Sequence, residues 1–302
     1  MHLQPWWLDA VCRGGAWDVC LATDKGNGMS GALPYFIRRR WGLRIIGQPP
    51  LTSYGGPWLC PPEDTYPPSH KRANAEKKLL ETLIRELPKV DFFQQNFRPE
   101  IAAWLPFYWA GFQQTTRYTY LFSDLSDVET IRAGFKNTLR TDIKKAARHV
   151  RVIREPDVPA VWQLHLKSFM RKGRRPPYDF ETFRTLHEAL TERDRSACFI
   201  ARDLATNAPH AALCLAFDER RASVLLTGQD PAYKSFSAVW LLFWEAIKFC
   251  SERGISLDFE GSMEKDIERG FRAFGAQLTP YHRVWKAGHR LLDLVYRFYV
   301  TG

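Results

Sequence analysis

The chain has 302 residues, of which 45% are hydrophobic and 25% charged, a composition typical of a globular protein. Its length allows two domains or one large one. A net charge of +10 favours a polyanionic ligand: a nucleotide, a nucleic acid or an anionic membrane surface. The longest uninterrupted apolar run, Ala238 to Trp244, is too short to span a bilayer, and no signal peptide is visible. We therefore expect a cytoplasmic protein.

The six cysteines form no CxxC pair, so no metal site is predicted. Three of them, Cys198, Cys214 and Cys250, lie within apolar runs. We expect these three to be buried free thiols and not disulfide partners.

The first part of the chain alternates apolar segments with Gly and Pro turns, a pattern typical of an antiparallel meander. The elements predicted there are a helix at 5–12, strands at 19–23, 31–38 and 43–46, a glycine loop at 53–58, a Pro-rich surface loop at 61–69, a helix at 74–87 and strands at 90–94 and 117–122.

The second part begins with a predicted capping box, in which Ser126 caps a helix and Glu129 returns the bond. This start places the domain boundary near residue 125, with domains at 1–125 and 126–302. The elements predicted beyond it are helices at 127–135, 138–149, 158–171 and 180–191, strands at 198–203, 211–217, 222–227, 255–260 and 282–286, and a last helix at 290–299.

A strand, a capped helix and a second strand follow one another between Ala222 and Glu260. Ser237 is a good N-cap, and Gly254 ends the helix as a C′ glycine. The helix carries one apolar stripe at Val239, Leu242, Phe243, Ala246, Ile247 and Cys250. This order predicts a βαβ crossover with parallel strands, and hence an α/β fold class with a mixed sheet. The N-terminus of the helix is suited to bind a phosphate or carboxylate.

Apolar and polar residues alternate from Ile255 to Glu260, as in a strand with one buried face. The alternation places Asp258 and Glu260 side by side on the polar face, just before a turn at Gly261 and Ser262. Carboxylates at this end of a strand lie where α/β proteins usually bind ligands. Either can take a proton from an attacking ammonium, or can instead bond backbone N–H groups of the turn or pair with an arginine.

Several segments resemble the FemAB-like branch of the GNAT superfamily. They are 258–262 (DFEGS) with 271–275 (FRAFG), the helix 238–247, the basic helix 137–146 and the entry segment 5–11. The resemblance spans nearly the whole chain. It implies two tandem GNAT-like domains, each a mixed sheet flanked by helices. It also implies transfer of an acyl or aminoacyl group to an amine, with acyl-CoA or aminoacyl-tRNA as co-substrate and no permanently bound cofactor.

The resemblance also implies site residues. The donor is expected to bind at Tyr233, Lys234, Ser235, Ser237 and Ala238. GNAT enzymes usually carry glycines in this loop, whereas this chain has Phe236, so we expect weak binding of coenzyme A. Arg272 matches a basic position near the reacting groups, where a cation can stabilise an oxyanion. A salt bridge to Glu260 or Glu268 is the alternative. Asp258, Glu260 and Arg272 are the candidate catalytic residues.

Acceptor binding is predicted at Tyr54, Gly55, Gly56, Arg140 and Lys144. The first three resemble a substrate-facing loop or form a tight turn. Arg140 and Lys144 can bind one phosphate together. They belong to the basic cluster 136–154, and a second basic cluster covers 167–175. The two clusters bind a polyanion or are solvated faces. The expected acceptor is a small molecule or a cell-envelope (peptidoglycan) precursor.

The expected partners also include tRNA and an anionic membrane surface. The alternative function is a catalytically silent, basic double-GNAT module that binds tRNA or an anionic envelope precursor. The sequence leaves the oligomeric state open.

Overall fold

The computed structural model describes residues 1–23, 29–60, 70–261, 263–290, 292–294 and 296. The chain divides into two compact units. The N-terminal unit contains His2–Arg117 and Pro280–Gly302, and the C-terminal unit contains Met1 and Tyr118–Thr279. The last segment of the chain thus belongs to the unit that holds its beginning, whereas the predicted domains were continuous in sequence.

The elements of the first part are α1 (Pro5–Val11), β1 (Ala16–Thr23), β2 (Met29–Arg40), β3 (Leu43–Gly47), β4 (Trp58–Leu59), α2 (His70–Glu86), β5 (Phe92–Asn96), α3 (Leu105–Trp109) and β6 (Gln113–Phe122). The predicted helices and strands are all present, while β4 and α3 were missed. The predicted Pro-rich loop at 61–69 lies outside the described residues.

The elements that follow are α4 (Val128–Ala133), α5 (Asn137–Ala146), β7 (Val150–Arg154), α6 (Val158–Met170), α7 (Phe180–Thr191), β8 (Ser196–Asp203), β9 (Pro209–Phe217), β10 (Arg221–Gln229), a 3-10 turn (Pro231–Phe236), α8 (Ala238–Glu252), β11 (Ser256–Asp258), α9 (Lys265–Arg272) and β12 (Gln277–Ala287). Most of the predicted last helix lies outside the described residues.

The start of α4 corrects the predicted capping box. Asp127, not Ser126, is the N-cap, and its carboxylate accepts from the backbone N–H of Thr130. The backbone N–H of Ser126 donates instead to the Asp124 side chain. An aspartate one residue later competes successfully because its carboxylate caps as well as a serine hydroxyl does.

The sheet of the N-terminal unit has the order β1-β2-β3-β5-β12, with β4 paired to β2. Its pairs are antiparallel except β3 with β5, which is parallel. The core of this unit contains Leu33 and Ile46 from the strands, Leu80 and Leu83 from α2, and Phe107 from α3. The helices therefore close over the sheet with their apolar faces.

The sheet of the C-terminal unit has the order β6-β11-β10-β9-β8-β7. Only β10 and β11 are parallel, as the βαβ crossover requires, and the other pairs are antiparallel. Helix α8 buries its predicted stripe against this sheet, and α6 packs against β9 and β10. The predicted fold class, α/β with mixed sheets flanked by helices, is confirmed.

The expectation of free thiols at Cys198 and Cys214 is wrong, because the two are bonded as a disulfide. They lie directly opposite one another on β8 and β9, which brings their side chains together on one face of the sheet. Cys250 is a buried free thiol, as expected.

Helix α6 approaches β10 closely at Gly228. A Cβ at this position would lie 2.2 Å from the backbone nitrogen of His165, so only glycine allows the two backbones to pack. This contact fixes the part of α6 that bears His165 and Ser168 over the carboxyl half of β10. Among the described residues, no helix is long and apolar enough to cross a membrane.

Candidate functional site

The strands β10 and β11 separate in the C-terminal unit. Their parallel pairing covers only Arg221–Ser223 against Ser256–Asp258, whereas β10 continues to Gln229. β11 ends at Asp258 and pairs with β6 on its other side. The carboxyl half of β10 therefore continues without β11 as its neighbour, and we call this place the opening between β10 and β11. It lies at the carboxyl ends of parallel strands, where α/β folds bind ligands.

The carboxylate of Asp258 fixes the turn after β11. The residue is fully buried, and its Oδ1 accepts from the hydroxyl of Thr119 on β6 and from the backbone N–H of Glu260 at 2.7 Å. Burial of a carboxylate is costly unless such bonds compensate it. Asp258 thus has the structural role that the sequence left open, bonding the N–H of the following turn.

The predicted side-by-side placement of Asp258 and Glu260 depended on the strand continuing to Glu260. Instead Glu260 and Gly261 have φ of 57° and 51°, both left-handed. A Cβ at Gly261 would lie 2.1 Å from the carbonyl oxygen of Tyr118, so the chain turns there against β6. The turn carries Glu260 out of the strand and leaves the residue half-buried, with its Oε1 inaccessible to solvent, while Asp258 is fully buried. Ser262 lies outside the described residues.

A tyrosine and a histidine that the sequence did not single out as a pair are bonded to each other, and the charge of Glu260 acts on the tyrosine. His165 Nδ1 lies 2.8 Å from the carbonyl oxygen of Thr227, and the Tyr178 hydroxyl lies 2.9 Å from His165 Nε2. A carbonyl only accepts, so Nδ1 carries the hydrogen and Nε2 accepts from Tyr178. Burial and the charge of Glu260 raise the pKa of Tyr178, and burial lowers the pKa of His165.

This arrangement keeps His165 neutral and Tyr178 protonated. With its proton held by His165, the Tyr178 oxygen has lone pairs available to accept a hydrogen bond. A neutral acceptor oxygen beside a carboxylate suits a cationic amine. The only sequence signal for the pair was a histidine on the buried side of α6, and its partners come from Thr227 and from the loop that bears Tyr178.

The predicted donor residues lie together in the 3-10 turn Pro231–Phe236 and at the start of α8. Ser237 is at the N-cap position, but its φ is 60° and its side chain makes no capping bond. The turn uses its own amides: those of Tyr233 and Ser237 donate to the carbonyl oxygens of Asp230 and Lys234. Two of the N–H groups that a pyrophosphate could use here are therefore already bonded.

Aromatic packing holds the same turn. The rings of Tyr233 and Phe236 stack on buried His210, with ring centroids 3.8 Å and 5.3 Å away. His210 Nε2 lies 3.2 Å from the Asp203 carboxylate, and burial lowers the pKa of His210. Phe236 thus faces the sheet side of the turn as a packing residue.

The two basic clusters meet at this turn. Lys145 of α5 donates to the carbonyl oxygen of Ser235 at 2.8 Å, and Lys167 of α6 pairs with Asp230. Arg140, by contrast, bonds within its own segment, to Asn137 and to the Ala133 carbonyl oxygen. Lys144 is exposed on α5. The two basic clusters thus flank one turn and form a cationic surface on both of its sides. Such a surface suits a polyanion better than two separate solvated faces would.

Arg272 ends α9 and pairs with Glu268 at 3.2 Å, and the same Glu268 oxygen accepts from the Tyr120 hydroxyl. The side chain of Arg272 is 67% exposed. Of the two alternatives for Arg272, the structure shows the salt bridge to Glu268. A role near the reacting groups stays a prediction.

Tyr54, Gly55 and Gly56 are buried in the N-terminal unit. The N–H groups of Gly55 and Gly56 donate to the carbonyl oxygen of Asn96 and the side chain of Gln95. A Cβ at Gly56 would lie 2.6 Å from the Phe97 ring. The glycines serve close packing in this loop, and its contact with an acceptor stays a prediction.

Comparison with known proteins agrees with this geometry. Residues 133–289, more than half of the chain, match the family described as acetyltransferase (GNAT) domain. The chain therefore belongs to this family, and it is an acyltransferase. No curated protein matches it in sequence.

Solved structures are similar over nearly the whole chain. FemX shares 13% identity at a TM-score of 0.67, covering 93% of this chain and 91% of its own. A tandem GNAT protein from the clavulanic acid biosynthesis pathway shares 12% sequence identity at a TM-score of 0.53, and the match covers 90% of this chain and 83% of that protein. L-PGS from Bacillus licheniformis shares 9% sequence identity at a TM-score of 0.51, and the match covers 92% of this chain and 87% of that protein. The predicted resemblance to FemAB-like tandem GNAT proteins is confirmed for the fold.

The different positions of the two carboxylates give a testable contrast. Asp258→Asn removes a buried charge from two hydrogen bonds, so it should lower the free energy of unfolding by about 1.5–3 kcal/mol. Glu260→Gln changes a partly exposed side chain and should cost less than about 1 kcal/mol. Urea unfolding of both variants measures the difference. Equal losses of stability would mean that Asp258 does not hold the turn.

Proposed function

We propose that the chain transfers an acyl or aminoacyl group from an activated ester or thioester to an amine acceptor at the opening between β10 and β11. Glu260 takes a proton from the acceptor ammonium, and the Tyr178 oxygen holds the same nitrogen. The observation that supports this most is the Tyr178–His165–Thr227 chain of bonds, because it fixes an acceptor oxygen on which the charge of Glu260 acts, in a family of acyltransferases.

The reaction then needs little further catalysis, because the donor is already activated and positioning supplies much of the rate. The neutral amine attacks the carbonyl carbon and a C–N bond forms. The bond from that carbon to the oxygen or sulfur of the leaving group breaks. The leaving group takes the second proton that the nitrogen loses, and Glu260 returns its own proton to solvent.

The donor is an ester or thioester whose polyanionic part lies on the basic surface around the turn Pro231–Phe236. Lys145 and Lys167 border this surface, and Lys144, Arg148 and Arg171 are exposed next to them in sequence. We favour aminoacyl-tRNA over acyl-CoA for this surface, because the N–H groups of Tyr233 and Ser237 are already bonded within the turn. A cell-envelope precursor with a free amine is our proposed acceptor, in keeping with the structural likeness to FemX.

Removal of the Tyr178 hydroxyl tests the proposed site. Tyr178→Phe should lower single-turnover transfer by about tenfold or more, because one hydrogen bond to a charged group is worth about 1.5–3 kcal/mol. His165→Gln should lower the rate by a similar factor. The double variant should be no slower than either single one if the two side chains act as a unit. Multiplicative losses would mean that His165 does not position Tyr178.

The hydrogen bonds within the turn before α8 also allow a prediction of how the chain binds acetyl-CoA. In calorimetry with acetyl-CoA, we expect weak or no saturable heat, because Phe236 replaces a glycine in the turn before α8 and the N–H groups of Tyr233 and Ser237 are bonded within it. Charged tRNA should bind, with an affinity that falls steeply with salt as counterions are released. A dissociation constant of about 1 μM for acetyl-CoA, which corresponds to a binding free energy of about −8 kcal/mol, would contradict the prediction. Binding of charged tRNA without any transfer would favour the catalytically silent module.

A further inference from the structure

A short uncharged segment of the N-terminal unit presents large apolar side chains to solvent. Residues 101–112 read IAAWLPFYWAGF and contain no charged residue, in a chain that is 25% charged. Pro106 and Phe107 are buried and anchor α3 to the unit. Leu105, Tyr108 and Trp109 are 53%, 58% and 57% exposed. Exposed Leu, Tyr and Trp side chains on one anchored helix mark an interaction surface.

An apolar cavity of about 410 Å³ opens beside this helix, a volume in the ligand-binding range of about 300–1,000 Å³. Its walls include Leu87, Phe93 and Phe112, and Lys89 and Lys286 also line it. Lys286 Nζ donates to the carbonyl oxygen of Ala110, the residue after α3, at 2.7 Å. Lys286 thus connects the cavity to the C-terminal end of α3.

Three lysines lie around these two features, and one of them, Lys77, also pairs with exposed Glu81 at 3.8 Å. Lys286 Nζ lies 5.0 Å from the centroid of the Phe112 ring, and Lys77 Nζ lies 4.7 Å from the Trp109 ring. Lys89 is exposed at the cavity, and no acidic side chain is among the described residues that line it. An occupant that complements this surface has apolar chains and negative head groups.

We infer that this face docks on the surface of an anionic phospholipid bilayer. We name it the α3 face: Leu105, Tyr108, Trp109, Lys77, Lys89 and Lys286 with the adjoining cavity. Trp and Tyr rings favour the interface between head groups and acyl chains. Leu105 reaches deeper, the lysines meet lipid phosphates, and one acyl chain enters the cavity. The inference does not depend on the proposed transfer reaction.

Flotation with lipid vesicles tests the α3 face. The full chain should float with vesicles of phosphatidylcholine and phosphatidylglycerol, and much less with phosphatidylcholine alone. Leu105→Ser with Trp109→Ser should weaken binding by on the order of tenfold or more, because buried apolar area is lost. Lys89→Ala should weaken it by about fivefold, and only on anionic vesicles. Trp41→Ser is the matched control, since Trp41 is 82% exposed in the same unit outside the α3 face.

Insertion is measured separately by brominated lipids, which quench tryptophan fluorescence on contact. We expect quenching in the unaltered chain and loss of quenching in Trp109→Phe. The melting temperatures of the two proteins should be equal, which shows that the variant is folded. Absence of binding to any vesicle, or equal binding by the Leu105/Trp109 variant and the Trp41 control, would overturn the inference. So would self-association that the Leu105/Trp109 variant abolishes without lipid, since the α3 face would then join two copies of the chain.

Discussion

The bond between the buried Asp258 carboxylate and the backbone N–H of Glu260 determines the shape of the candidate active site. A fully buried carboxylate needs hydrogen-bond donors, and the chain supplies one from Thr119 and one from its own turn. The second donor ends β11 after Asp258 and brings Glu260 into a left-handed conformation. The position of Glu260, the proposed base, thus depends on the hydrogen bonds of a buried neighbour.

The early end of β11 has a second consequence, since β10 continues without it. Backbone groups on the carboxyl half of β10 would be left unpaired, and α6 satisfies several of them. His165 bonds Thr227, and Ser168 donates to the Gln229 carbonyl oxygen and accepts from the Gln229 N–H. Gly228 is what lets α6 come close enough. The same histidine that completes the strand also orients Tyr178, so strand, helix and site form one arrangement.

The sequence predicted the fold well where an element is marked by the spacing of its apolar residues and glycines. The stripe on α8, the C′ glycine at Gly254 and the parallel βαβ connection are all present. It predicted strand ends and caps less well, because Asp127 and Asp258 made side-chain bonds to nearby backbone that alternation does not show. The Cys198–Cys214 disulfide depends on strand register, which the sequence did not establish.

The candidate site was predicted in part. Glu260 and the loop Tyr233–Ala238 came from motifs in one segment of sequence. Tyr178 and His165 could not be linked to them, because their contacts join α6, a loop and β10 across long sequence separations. Lys145 was passed over in favour of Lys144, since the turn of α5 that faces Ser235 is fixed only by packing. The missed residues are those whose role depends on tertiary contacts.

The role of Glu260 as the base is the central claim, and the pH dependence of its loss tests it most directly. Transfer rates of the unaltered chain and of Glu260→Gln should be compared across a pH range that includes the pKa of the acceptor amine. If Glu260 removes the ammonium proton, the variant should be slow at low pH and should approach the unaltered rate once the amine is neutral in solution. A loss of rate by the same factor at every pH would contradict the account.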